Sequence, residues 1–402
     1  MRIAGIIAEY DPFTNGHAFH LEQTLREGRA DFVVAVMSGD FTQRGRPALL
    51  DKWTRSRLAV ENGVDLVLEL PFCYATAGAE VFARGAVGVL EGLGVVDALG
   101  FGSESGDIDE LMFIAGFLKN EPDEYKRAIK RHLDMGISFP KAREMAVNEC
   151  LGMEAGKLLK SPNNILAIEY LKHVVSMTPV TVKRESPYGA KELPAAGDGC
   201  GTGLASAGAV RNAVRSGDIG RTCGFVPRNV YETIVSVYGE GDLSKEMEDR
   251  YFDLLRTVIL RNSAEELAGI YGAIEGIENR MKKEIRMHAD VDAYASSLKS
   301  KRFTRTAIDR LMLHTLLGLR KEDAAAAQPY ARVLAMSEGG EKILAAARGT
   351  ASIPVVTNIN KYAGLPDVSR FDVLASDMYN VLSGCDLYEE SDHVRRPYRF
   401  DG

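Results

Sequence analysis

At 402 residues the chain is too long for one ordinary core, so two or three domains are expected. Hydrophobic residues at 46% and charged residues at 26% exclude a disordered or collagen-like chain, and no apolar run reaches the roughly 18–20 residues of a membrane span. A net charge of −7 confines any nucleic-acid contact to a local basic patch. Cys73, Cys150, Cys200, Cys223 and Cys385 are scattered and form no CxxC. That spacing argues against a structural zinc site or a disulfide framework. With no signal-peptide pattern at the start, the expected compartment is the reducing cytoplasm.

The first ~110 residues alternate between short apolar runs and helical patterns. The runs are Ile3–Ala8, Phe32–Met37, Val64–Leu70 and Val95–Gly100; the helical stretches begin near Gly16, Lys52 and Ala79. Short buried runs joined by crossover-length helices predict a doubly wound, Rossmann-like parallel α/β sheet. Residues 107–160 read as amphipathic helices, Ser161–Lys172 as a helix, and Pro179–Lys183 as a strand. Glu185–Gly203 is a Gly- and Pro-rich loop, and Ser206–Val214 resumes a helix. From about Asn229 long helical patterns dominate, which predicts a first domain over 1–228 and a mainly helical one over 229–402. In the tail, from Ala331, Ser352–Val356 is the clearest strand signal.

In an open α/β sheet, ligands bind outside the carboxyl ends of the strands. The first such end runs from Ile7 and Ala8 into Glu9-Tyr10-Asp11-Pro12-Phe13-Thr14-Asn15-Gly16-His17-Ala18-Phe19-His20. Gly16 permits close approach of a phosphate, and a helix N-terminus offers free N–H groups and a positive dipole end to an anion. His17 and His20 share a helix face and could donate to phosphate oxygens as charge builds on a leaving group. Taken alone, such a pair is more often structural than catalytic; a metal site is a weaker rival, since no other histidine lies nearby. Later strand ends carry Arg44 in Ser38–Gly45, Gly102-Ser103-Glu104, and Arg184-Glu185. Gly102 could admit a nucleoside, Ser103 and Glu104 could orient ribose hydroxyls, and Arg184 could pair with phosphate. Asn163 follows Ser161-Pro162, a cap and first-turn proline. Lys299-Ser300-Lys301-Arg302-Phe303-Thr304-Arg305 places four cations in seven residues around one aromatic. It reads either as a solvated loop or as an RNA contact in which Phe303 stacks on a base.

Thr14-Asn15-Gly16-His17 resembles the T/H-x-G-H signature of the HIGH nucleotidyltransferase superfamily. Glu9–His20, Met37–Gly45, Glu69-Leu70-Pro71-Phe72, Phe101–Glu104 and Ser161–Leu166, in that order, are similar to the tRNA(Met) cytidine acetate ligase family; the resemblance extends over nearly the whole chain. Asp11 stands where the family usually has Asn, and Thr14 where it usually has His. The resemblance implies that acetate is activated with ATP as acetyl-adenylate, with Mg2+ bridging the phosphates, and then acetylates N4 of the wobble cytidine of elongator tRNA(Met). It implies that Ile7–His20, Gly102, Asn163, Arg184, Glu185 and Ser206 contact ATP, with His17, His20 and Arg211 catalytic. Ser206–Arg211 resembles the second signature of the superfamily, with Gly208 at a usual Ser or Thr. Lys299, Lys301, Arg302, Phe303 and Arg305 would then contact tRNA. No membrane, DNA or protein metal site is expected. Two other readings stay open: a small-molecule adenylyltransferase or acid:amine ligase on the same fold, and a noncatalytic RNA-binding protein.

Overall fold

The computed structural model describes residues 1–184, 192–194, 203–239, 243–362 and 364–401. Strands β1 (Ile3–Ala8), β2 (Phe32–Ser38), β3 (Leu66–Leu70), β4 (Ala98–Ser103) and β5 (Thr178–Lys183) are joined by β6 (Ala331–Ser337), β7 (Val355–Val356) and β8 (Tyr398–Phe400). They form one sheet in the order β5-β4-β1-β2-β3-β6-β7, with β8 also on β6. The first five strands are parallel, as the alternating pattern predicts. β6 is antiparallel to β3, pairing Leu66 with Met336 and Glu69 with Arg332. The main strand of the tail is thus Ala331–Ser337, while the expected Ser352–Val356 contributes only Val355–Val356.

The period of two along each strand divides the core. Val34, Val36, Leu66, Leu68 and Leu70 face one layer of helices. Val33, Ala35, Met37 and Val67 face the other. Gly100 fits because α1 (Asn15–Gly28) lies so close that a Cβ there would meet Thr24 Cγ2 at 2.3 Å. A third apolar cluster fills the helices between Leu243 and Leu317 and the helix Arg370–Ser383. It also takes in Phe41, Phe72 and Cys73, from the loops that follow β2 and β3. The helical part therefore packs on the ligand-binding edge of the sheet. No helix among the described residues is long and apolar enough to cross a membrane.

The chain's tail is tied to the sheet by buried charge. Lys52 Nζ, fully buried at the start of α2 (Lys52–Glu61), lies 2.8 Å from Glu69 and 2.7 Å from Asp392. Arg332 pairs with the same two carboxylates, and Trp53 Nε1 donates to Asp392 at 3.0 Å. Burial pushes Asp40 beside them up to about 6, whereas Lys52 and Arg332 hold Asp392 down at about 2. Cys73, Cys150 and Cys385 are free thiols. Cys223 is disulfide-bonded, a pairing that sequence spacing did not suggest.

Candidate active site

A cavity of about 380 Å³ opens at the carboxyl ends of β1 and β4. Its position follows from local chemistry at the start of α1. Thr14 is the N-cap, in extended conformation, and His17 occupies the third helical position. The Thr14 N–H donates to His17 Nδ1 at 3.0 Å, so the imidazole closes the cap as a Glu does in a capping box. With Nδ1 accepting, the proton of the neutral ring sits on Nε2. Tyr10 and Phe13 hold the ring, with centroids 5.2 and 5.7 Å away. Burial, with Arg184, His20 and Arg211 nearby, lowers His17 to about 3. It is therefore neutral at physiological pH and lines the cavity as an N–H donor.

His20, one turn on, is different. Burial, with Arg184 nearby, lowers it to about 4, against an opposing pull from the Phe101 backbone. Its Nε2 is buried without a hydrogen-bond partner. The neutral ring carries one N–H and one lone pair, and only the imidazolium offers both nitrogens as donors. A bound polyphosphate would favour that form, because nearby negative charge raises a histidine pKa.

Arg211 enters from the helix Ala207–Arg215, capped by Ser206, whose Oγ accepts from the Ala209 N–H at 3.1 Å. The Arg211 guanidinium donates to the Asp11 carbonyl and lies 3.2 Å from the Asp11 carboxylate. Asp11 is itself fixed by the Leu49 N–H at 2.7 Å. Glu9 Oε1 accepts from the Gln43 N–H at 2.8 Å, drawing the loop after β2 to the cavity wall.

Of the residues expected at ATP, Ile7, Ala8, Glu9, Tyr10, Asp11, Thr14, Gly16, His17, Phe19, His20, Gly102, Asn163 and Arg184 line this one cavity, together with Arg211. Phe13 is buried beneath it, and Asn15 Nδ2 is spent on the Gly203 and Gly224 carbonyls. Pro12, Ala18 and Ser206 are not among its lining residues. Glu185 lies outside the described residues. The side chains of Ser103 and Glu104, expected to orient ribose hydroxyls, are engaged within the protein. Ser103 Oγ pairs with Thr181 Oγ1 at 2.7 Å. Glu104 caps the helix Pro162–His173 through the Asn164 N–H at 2.8 Å and takes Asn163 Nδ2 at 2.7 Å. Asn163 is thereby oriented with its carbonyl oxygen left for a ligand. Sequence reasoning missed Phe82, Tyr170 and Lys183 in the wall. The first two carried no signal, since an aromatic on an amphipathic helix reads as core.

The basic run fares unevenly. Phe303 is 8% exposed and packs in the helical core, so the expected base-stacking role is withdrawn for this conformation. Arg302 pairs with Glu275 at 2.5 Å; Arg305 pairs with Asp309 at 2.9 Å and with Asp292. Lys299 and Lys301 are exposed.

The HIGH Nucleotidyl Transferase family matches residues 1–393. A tRNA(Met) cytidine acetate ligase of Caldanaerobacter subterraneus subsp. tengcongensis is 38% identical over 391 residues, covering 95% of each chain. One of Alkaliphilus metalliredigens is 36% identical over 426 residues, covering 99% of each. The crystal structure of Thermotoga maritima TmcAL bound with alpha-thio ATP superposes with a TM-score of 0.86 at 30% identity, over 100% of both chains.

Proposed function

This chain belongs to the HIGH nucleotidyltransferase family, among the tRNA(Met) cytidine acetate ligases, and we propose that it activates acetate with ATP and acetylates N4 of the wobble cytidine of elongator tRNA(Met) in the cytoplasm. The observation that carries the reading is the convergence of His17, His20, Arg184 and Arg211 on one cavity beside the N-terminus of α1. Acetate is already ionised at neutral pH and needs no general base. Its oxygen attacks the α-phosphorus, and the bond to pyrophosphate breaks. The His17 N–H, the Arg211 guanidinium and protonated His20 take up the charge that grows on the leaving group. In the second step the cytidine N4 attacks the acetyl carbon, AMP leaves, and N4 gives up a proton. The target base leaves its stack to reach the site.

Magnesium keeps phosphate oxygens and water as most of its ligands, with one or two carboxylates from protein. Glu9 fits that need: it lines the cavity, and among the described residues only the Gln43 N–H engages its carboxylate. The ion, when bound, would neutralise phosphate charge. The deciding experiment is exchange of labelled pyrophosphate into ATP across a panel of carboxylic acids, with and without tRNA. Exchange with acetate, followed by acetyl transfer to tRNA, is expected. Exchange with another acid only would favour the small-molecule ligase reading, and tRNA binding without exchange would favour a noncatalytic protein.

A further inference from the structure

We infer that Arg84, Arg310 and the Tyr271 hydroxyl form a clamp for an RNA phosphate at the mouth of the ATP cavity, holding the strand beside the acceptor cytidine. The inference rests on the tRNA reading above and names the residues that would deliver the base.

Within the basic run expected to bind RNA, Arg302 and Arg305 are paired to carboxylates, and neighbouring Arg46 is paired to Asp292 at 2.9 Å and Asp309 at 3.2 Å. Asp309 and Asp292 are thus already engaged. Arg310, half-buried on the helix Arg305–Leu317, donates to a neutral acceptor, the Gln43 carbonyl, at 3.3 Å. No carboxylate lies within 4.0 Å of Arg310 or of exposed Arg84 among the described residues. A guanidinium removed from water without a directly paired anion is unfavourable, and burial pulls Arg310 below its ordinary range against the opposing pull of Tyr271 and Asp309. A phosphate would supply the missing partner in bidentate geometry.

Gln43 and Arg44 line the ATP cavity. Gly45, at φ 76°, packs so tightly that a Cβ would stand 2.5 Å from the Arg310 backbone nitrogen. The loop after β2 therefore fixes the register of Arg310 against the cavity wall. Arg84 lies on the helix Ala79–Leu93, which gives Ala79 and Phe82 to the same wall. Tyr271 is pinned by its backbone, through its N–H to the Leu319 carbonyl at 2.9 Å and its carbonyl to His314 Nδ1 at 3.0 Å. Its ring lies 5.2 Å from that imidazole. Its hydroxyl has no protein hydrogen-bond partner among the described residues, and both Arg310 and Arg84 act on it electrostatically. Arg310 and Arg84 thus both act on the Tyr271 hydroxyl from helices next to the cavity wall, and the carboxylate that acts on Arg310, Asp309, is already paired to Arg46 and Arg305.

The test measures affinity for elongator tRNA(Met) at several salt concentrations for the wild type and for the Arg84→Ala, Arg310→Ala, Arg310→Lys and Tyr271→Phe variants. Each lost phosphate contact should reduce the slope of log K against log salt by roughly 0.7–0.9, which is roughly fivefold in affinity at 0.15 M salt. Arg310→Lys should restore the slope, and Tyr271→Phe should weaken binding with the slope kept. Acetate-dependent pyrophosphate exchange without tRNA is read on the same preparations. Unchanged affinity and slope in both arginine variants would overturn the clamp, as would an equal fall in exchange, which would assign Arg310 to the ATP site through Gln43. If Arg310→Ala melts early, exposed Arg84→Ala decides. A wild type that binds no tRNA would defeat the parent reading; wild-type binding matched by the variants would defeat the clamp alone.

Discussion

His17 does two jobs with two nitrogens, and a pair of substitutions separates them. Nδ1 receives the Thr14 N–H at 3.0 Å and closes the helix cap; Nε2 is left for the cavity. In His17→Asn the amide oxygen can stand near the Nδ1 position and keep the cap, while nothing replaces Nε2. In His17→Ala both are lost. Removing one donor to developing charge costs about 10²–10³ in rate, or ~2.7–4 kcal/mol. Losing a cap costs about 1 kcal/mol of stability. Unfolding entropy near 2.1 cal/mol/K per residue makes that a shift of only ~1 °C for a chain of 402 residues. Both variants should therefore fold and melt close to the wild type, and both should lose acetate-dependent pyrophosphate exchange by about the same factor. The assay is exchange at saturating ATP and acetate, with thermal unfolding alongside. Exchange by His17→Asn at the wild-type rate would refute the assignment of Nε2 as the donor. A collapse in melting temperature for His17→Asn would instead make the ring a packing element, held by Tyr10 and Phe13.

Three further outcomes are expected. Glu104→Ala should raise the KM for ATP several-fold with a smaller effect on kcat, because it frees Asn163 Nδ2 and uncaps the Asn164 N–H; an unchanged KM in the exchange assay would mean that Asn163 is not held for ATP. Asp392→Ala should destabilise the protein by about 3–5 kcal/mol in chemical denaturation, since Lys52 and Arg332 lose a buried partner; a loss under 1 kcal/mol would contradict the tail's anchoring role. His20 is held at about 4, so between pH 6.5 and 4 the unfolded chain takes up a proton that the fold refuses, and stability falls as pH falls. From pH 7 to 5 this one group accounts for about 2 kcal/mol, so His20→Asn should lose that much less than the wild type on acidification; equal losses would refute a neutral His20.

The parallel half of the sheet was legible because its information is local. Ile3–Ala8 and Phe32–Ser38 are apolar on both faces, and the segments between them are long enough to cross over. The cavity edge was legible for the same reason, since the residues of Thr14–His20 sit on the first two turns of α1 and its cap. What escaped depends on partners distant in sequence. Ala331–Ser337 is as apolar as the early strands, yet its place beside β3 is set by pairing across more than 250 residues. Lys52, Glu69 and Asp392 each read as surface charges, and only their meeting makes burial tolerable. Phe303 stood among cations and so read as exposed, although the helices around it form a core it completes. Glu104 read as a ligand contact because strand ends bind ligands; a helix N-terminus arriving from 60 residues away claimed it first.

The antiparallel partner of β3 is made late. About 260 residues separate Leu70 from Ala331, and at 5–20 residues per second a ribosome takes about 13–50 s to produce them. Throughout that interval Leu66–Leu70 is an apolar edge strand with nothing on its open side, the kind of edge that recruits other chains. The charges that would deter such pairing are also delayed, since Arg332 and Asp392 are synthesised after the interval ends. A nascent or prematurely terminated chain of this protein is thus expected to be a client for chaperones that shield strand edges, and fragments cut near residue 228 should precipitate even though they carry every described residue of the cavity wall.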